Sequence, residues 1–121
     1  MCGGNPERLK KIEPLKNPKV GIIGSGSWAT ALAKIMLENL PSISWFIRNE
    51  ENIELFKQYK NNPGYLRGVE FDTDRIRFNS DINAVAGECD TLVMAIPAAF
   101  LKDTLSRLTV DISSKFIISG I

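Results

Sequence analysis

The sequence predicts a doubly wound α/β fold, a mostly parallel sheet with helices on both faces. Three observations predict it. Short apolar runs at 20–23, 43–47, 76–79, 91–96 and 116–119 alternate with stretches of helical period, the pattern of β-α-β units. The run at 91–96 is almost continuously apolar, as a strand covered on both faces requires. The first run breaks into Gly24-Ser-Gly26-Ser-Trp-Ala29, a G-x-G-x-x-A turn between a strand and a helix start.

The elements follow in order. Residues 1–18 are rich in Lys, Glu, Pro, Gly and Asn and read as a flexible leader, with a short helical turn through Leu9, Ile12 and Leu15 as the alternative. Val20 to Ile23 form the first strand, where Gly21 permits close packing. The first helix runs from Ser27 to Asn39, with Trp28, Leu32, Ile35 and Met36 on one face and Ala29 and Ala33 beside them. Pro41 stops it. Ile43 to Ile47 is the second strand. Asn49 caps a second helix that carries Ile53, Leu55 and Phe56 and ends near Lys60.

Pro63, Gly64 and Gly68 break the chain into a loop over 61–68. Ile76 to Asn79 is a brief strand, and Ser80 or Asp81 starts a short helix ending near Gly87. Thr91 to Ile96 is the fourth strand and Pro97 ends it. Ala98 to Leu108 is helical, with a stripe of Phe100, Leu101, Leu105 and Leu108. Phe116 to Ser119 closes the pattern. The 121 residues suffice for one domain with a real core, not for two.

Composition excludes several functions. The formal net charge is +1, so neither a nucleic-acid partner nor an electrostatically held membrane surface is expected. No apolar run approaches the roughly 20 residues of a membrane span, and stable membrane insertion is not expected. The beginning of the chain is polar and lacks the apolar segment of a secretory signal, which argues against a lipid anchor at Cys2. Cys2 and Cys89 make no disulfide framework, and a cytoplasmic protein with reduced thiols is the plain reading. Histidine is absent, and no cluster has zinc or calcium ligand spacing, so no metal is expected.

The chemistry concentrates at the glycine turn. Such a turn aims backbone N–H groups and a positive helix end at one point, where a dinucleotide pyrophosphate can sit. Gly24 permits the sharp turn, Gly26 lets the pyrophosphate approach, and Ala29 keeps the helix near the sheet. Ser25 and Ser27 offer N–H groups, and Ser27 adds a hydroxyl. Trp28 reads either as a cover over the cofactor or as a core anchor. Arg48 stands at the end of the second strand, where an acid often selects NAD by accepting from the ribose. An arginine there can stack on adenine or pair with a 2′-phosphate, so both NAD and NADP are expected as cofactors.

Pro97 and Phe100 follow the fourth strand, whose end faces the cofactor crevice in such a sheet. Phe100 reads equally as a cofactor contact or as helix core. The loop with Asn62 and Tyr65 is a substrate mouth or, more simply, a connector. The carboxylates Asp72, Asp74, Asp81 and Asp90 show no pairing that suggests acid–base work.

From Lys19 onward the chain resembles the N-terminal domain of the bacterial type of NAD(P)-dependent glycerol-3-phosphate dehydrogenase. The resemblance rests on the run Val20 to Ala33, on Trp45 and Arg48, on Asn62-Pro-Gly-Tyr-Leu-Arg-Gly68, and on Ile96-Pro-Ala-Ala-Phe-Leu101. Many dehydrogenases share the glycine turn, but the Gly-Ser-Trp-Ala-Thr-Ala run together with the Asn-x-x-Tyr-Leu-x-Gly loop is far more specific. Arg67 stands where the family usually has proline.

The resemblance implies a Rossmann-like domain over 19–121, with Ser27, Trp28 and Arg48 touching the cofactor and Phe100 lying beside it. It implies a longer parent, homodimeric in one expectation, that interconverts dihydroxyacetone phosphate and sn-glycerol 3-phosphate for phospholipid synthesis. The catalytic lysines and the helical substrate domain are then expected beyond Ile121, so the fragment alone is expected to bind dinucleotide weakly and to turn nothing over. Competing readings are a ketopantoate or 6-phosphogluconate type of dehydrogenase, a non-catalytic NAD-sensing domain, and a fragment that binds nothing.

Overall fold

The computed structural model describes residues 19–119; the expected leader over 1–18, Cys2 and the last two residues lie outside them. The elements are β1 (Val20–Ile23), α1 (Ser27–Asn39), β2 (Ile43–Phe46), α2 (Glu50–Tyr59), a 3-10 turn (Thr73–Arg75), β3 (Ile76–Asn79), α3 (Ile82–Glu88), β4 (Thr91–Met94), α4 (Ala98–Ser106) and β5 (Phe116–Ser119). The strands form one parallel sheet in the order β3-β2-β1-β4-β5. Ile22 sits at its centre, level with Trp45 on one side and Val93 on the other.

Alternation along the strands builds two cores. Val20, Ile22, Ile43, Trp45, Ile76 and Val93 face α1 and α2. Ile23, Phe46, Leu92 and Met94 face α3, and Leu101 and Leu108 of the α4 segment pack against them. Helices on both faces are what right-handed crossovers in each direction from β1 produce. On the first face Trp45 anchors an aromatic group, with its ring centroid 5.2 Å from Phe56 and 5.8 Å from Phe71 in edge-on geometry.

The helix faces differ from the sequence expectation. In α1 the buried side chains are Ala29, Thr30, Ala33 and Leu37, while Leu32 and Met36 pack only partly and Trp28 and Ile35 are more than half exposed. Small residues win that face because α1 lies close on β1. In α4 no residue is fully buried, and Phe100 and Leu105 of the expected stripe are exposed.

Gly21 earns its place on the second face. A Cβ there would come within 2.8 Å of both Cys89 Sγ and Val85 Cγ1, so α3 seats directly on the backbone of β1. Arg75, from the 3-10 turn, closes the far end of α1 by donating to the carbonyls of Leu37, Leu40 and Pro41, which neutralises the negative helix end.

Candidate functional site

The strand order reverses between β1 and β4, since β1 continues to β2 on one side and β4 to β5 on the other. A crevice opens at the C-terminal ends of the strands at such a switch point. Here it is lined by the turn after β1, the Phe46–Arg48 end of β2 and the Ala95–Pro97 end of β4. One part, of about 480 Å³, lies between Gly26, Ser27, Trp28, Tyr65 and Pro97. The other, of about 260 Å³, lies between Gly24, Ser25, Arg48, Phe100 and Thr104. No carboxylate lines either part, so the crevice carries no charge that would repel an anion.

The turn itself is built in layers. Gly24 has φ +126°, a left-handed value that favours glycine, and a Cβ on it would lie 2.2 Å from the Ala95 carbonyl oxygen. Gly26 is the opposite case: a Cβ there would meet nothing within 4 Å. Gly24 is therefore required by the protein's own packing, whereas the space over Gly26 is open.

Three successive carbonyls of the turn are engaged from behind. The Trp45 indole Nε1 donates to the Gly24 oxygen at 2.6 Å. Asn62 Nδ2 donates to the Ser25 oxygen at 3.0 Å and to Thr30 Oγ1 at 2.8 Å. The Gly26 oxygen accepts from the Thr30 N–H at 3.0 Å and from its hydroxyl at 2.7 Å. Among the described residues none accepts from the N–H of Ser25 or Gly26.

The helix ends sort in the same way. Asn49 caps α2, accepting from the N–H groups of Glu51 and Asn52, and Asp81 caps α3, accepting from that of Asn83. Neither α1 nor α4, which border the crevice, has a side-chain cap or an acidic residue in its first turn. In α4 the Phe100 N–H turns back to the Pro97 oxygen at 2.9 Å, whereas the Ser27, Trp28 and Ala29 N–H groups of α1 have no partner among the described residues.

The candidate residues fall into place around this turn. Trp28 is 55% exposed and Phe100 62% exposed, so neither is a core anchor; each borders the crevice from the start of its helix. Arg48 is exposed at the rim beside Phe46, and Pro97 closes the β4 side. Tyr65 borders both parts of the crevice. Asn62 is not presented to either part. Its side chain is buried, and its oxygen accepts from the Gly64 N–H at 2.9 Å. Sequence reasoning missed the roles of Trp45 and Thr30, because an indole N–H in an apolar strand and a threonine within a helix give no signal of what they reach across the fold.

Chemically, the crevice offers apolar walls, backbone N–H groups and the Arg48 guanidinium. No group of His, Cys, Asp or Glu among the described residues could hold a metal ion. Cys89, the thiol among the described residues, packs behind Gly21 and lines neither part of the crevice, and burial pushes it above its ordinary 9.0.

Comparison with known proteins decides the family. Residues 19–120 match the family model described as NAD-dependent glycerol-3-phosphate dehydrogenase N-terminus. The chain belongs to that family. It is 30% identical over 99 residues to a glycerol-3-phosphate dehydrogenase [NAD(P)+] of Bacillus licheniformis, which covers 82% of this chain and 28% of the relative. It is 36% identical over 90 residues to the enzyme of the same name from Agathobacter rectalis, covering 74% of this chain and 26% of the relative. The solved structure of glycerol-3-phosphate dehydrogenase from Saccharomyces cerevisiae superposes with a TM-score of 0.75 at 31% identity, over 86% of this chain and 33% of that one. The chain thus spans about a quarter to a third of the length of these dehydrogenases and corresponds to their N-terminal, NAD-binding domain. No helix among the described residues is long and apolar enough to cross a membrane.

Proposed function

We propose that this chain is the dinucleotide-holding domain of a glycerol-3-phosphate dehydrogenase that interconverts dihydroxyacetone phosphate and sn-glycerol 3-phosphate. The observation that carries the reading is the unfilled space over Gly26, beside N–H groups of Ser25 and Gly26 that no described residue uses. A pyrophosphate fits that combination of open backbone, spare donors and an uncapped helix end.

The residues divide the work. Gly24, Ser25, Gly26 and Ser27 hold the pyrophosphate through backbone donors. Arg48 takes the adenosine ribose, and its charge accepts a 2′-phosphate, so NAD and NADP both bind. Trp28, Pro97 and Phe100 supply apolar walls that exclude water. Tyr65 overhangs the crevice where cofactor and substrate meet, and Asn62 acts from behind the turn. The nicotinamide, when bound, supplies or accepts the hydride.

This chain orients the cofactor for the hydride transfer of the parent protein. The cytoplasm is the compartment that reduced thiols and a dinucleotide pool favour.

Isothermal calorimetry of the 121-residue chain with NADH tests the reading. Saturable binding with one site, competed by ADP and weakly by adenosine, is expected, together with no NADH consumption when dihydroxyacetone phosphate is added. Binding that adenosine competes as well as ADP does would remove the pyrophosphate from the account.

A further inference from the structure

We infer that Trp45 and Asn62 are positioning residues that aim the phosphate-binding N–H groups, an inference that rests on the proposed dinucleotide site. A trans peptide is planar, and its C=O and N–H point in opposite directions; the described residues contain no cis peptide bond. Fixing a carbonyl therefore fixes the direction of the N–H that follows it.

The Trp45 indole holds the Gly24 carbonyl at 2.6 Å, so the Ser25 N–H points away from Trp45 and toward the crevice that Gly24 and Ser25 line. Asn62 holds the Ser25 carbonyl at 3.0 Å, so the Gly26 N–H points away from Asn62. Neither donor is free to wander. Trp45 is fully buried and wedged edge-on against Phe56 and Phe71. Asn62 is fixed by three partners, the Ser25 oxygen, Thr30 Oγ1 and the Gly64 N–H.

A glycine turn on its own is the most pliable backbone available. Each peptide of Gly24-Ser25-Gly26 can rotate at small cost, and a ligand would have to select the right orientation. Two donors from separate elements, β2 and the loop after α2, remove that freedom before any ligand arrives, which is preorganisation of the anion site.

The test measures N–H directions and affinities in the full 121-residue chain. Residual dipolar couplings in the ligand-free protein report the orientation of each N–H vector. In Asn62→Ala the coupling of Gly26 changes while those of β1 and β4 stay fixed, and NADH binds about tenfold more weakly, the loss of one net hydrogen bond's worth of alignment. Adenosine affinity is unchanged. Asn62→Asp keeps the size and the acceptor for Gly64 but loses the donor, and serves if the alanine variant does not fold. Trp45→Phe removes the indole N–H and moves the coupling of Ser25 instead.

A purely structural role would lower the melting temperature and leave both couplings in place. Couplings of Ser25 and Gly26 that match the wild type in these folded variants overturn the inference, as does unaltered NADH affinity in a chain that binds it. A wild-type chain that binds no NADH sinks the proposed function instead, and the ligand-free couplings still decide whether the two donors aim the turn.

Discussion

The alpha carbon of Gly24 faces the carbonyl oxygen of Ala95 so closely that a methyl group on the former would stand 2.2 Å from the latter. This contact joins the end of β1 to the continuation of β4, and the Ala95 N–H also donates to the Ile23 oxygen at 2.9 Å. The two strand ends thus meet where the crevice opens.

Gly24→Ala is expected to destabilise the fold by about 3 kcal/mol or more, combining backbone strain at positive φ with a clash against backbone that cannot yield. Urea unfolding of the variant measures it. A loss below 1 kcal/mol would show that the β1 and β4 ends can part.

Gly26→Ala separates binding from stability. The added methyl meets no protein atom, so stability should move by less than about 1 kcal/mol, the scale of an N-cap change. NADH affinity should fall at least about tenfold, since the methyl occupies the approach to the backbone. Calorimetry beside a melting curve reads both. An unaffected NADH affinity would mean that no ligand comes close to Gly26.

Much of this architecture was legible in the sequence, because periodicity and punctuation report directly on it. The third and fifth strands at 76–79 and 116–119 and the Asn49 cap stand where the pattern places them. The buried face of α1 was not legible. Apolar size favours Trp28 and Ile35, but close packing on β1 favours Ala29, Thr30 and Ala33, and tertiary proximity leaves no mark on local period. The 3-10 turn at Thr73–Arg75 carries no periodic signal because it is a single turn. Two of the three partners of Asn62 lie 32 and 37 residues away in sequence, and only the fold brings them together.

Arg48→Gln tests cofactor choice. Its guanidinium is exposed at the rim of the crevice, so any pull it exerts on a 2′-phosphate is screened by solvent. NADPH affinity should drop by about tenfold, NADH affinity should hardly change, and the gap should narrow as salt is raised toward 1 M. Equal losses for both cofactors would show that Arg48 acts on the shared part of the molecule.

Cys89 gives the chain an alkaline limit. Burial raises its folded-state value above the ordinary 9.0, so the folded chain keeps the thiol while the unfolded chain ionises. Its contribution is therefore complete below pH 9.0 and is lost as pH rises from there through the folded value. In a Cys2→Ser background, the urea midpoint should fall more steeply above that pH than in the same chain carrying Cys89→Ala. Parallel curves would contradict the shift. Alkylation of Cys89 should likewise be slow until the chain unfolds, since its sulfur is packed behind Gly21.

The most direct measurement is a crystal structure of this chain with NADH. A pyrophosphate against the Ser25 and Gly26 N–H groups is expected, with the open space over Gly26 filled by its oxygens. A dinucleotide found elsewhere on the sheet, or a turn whose N–H groups face only solvent at saturating NADH, would contradict it.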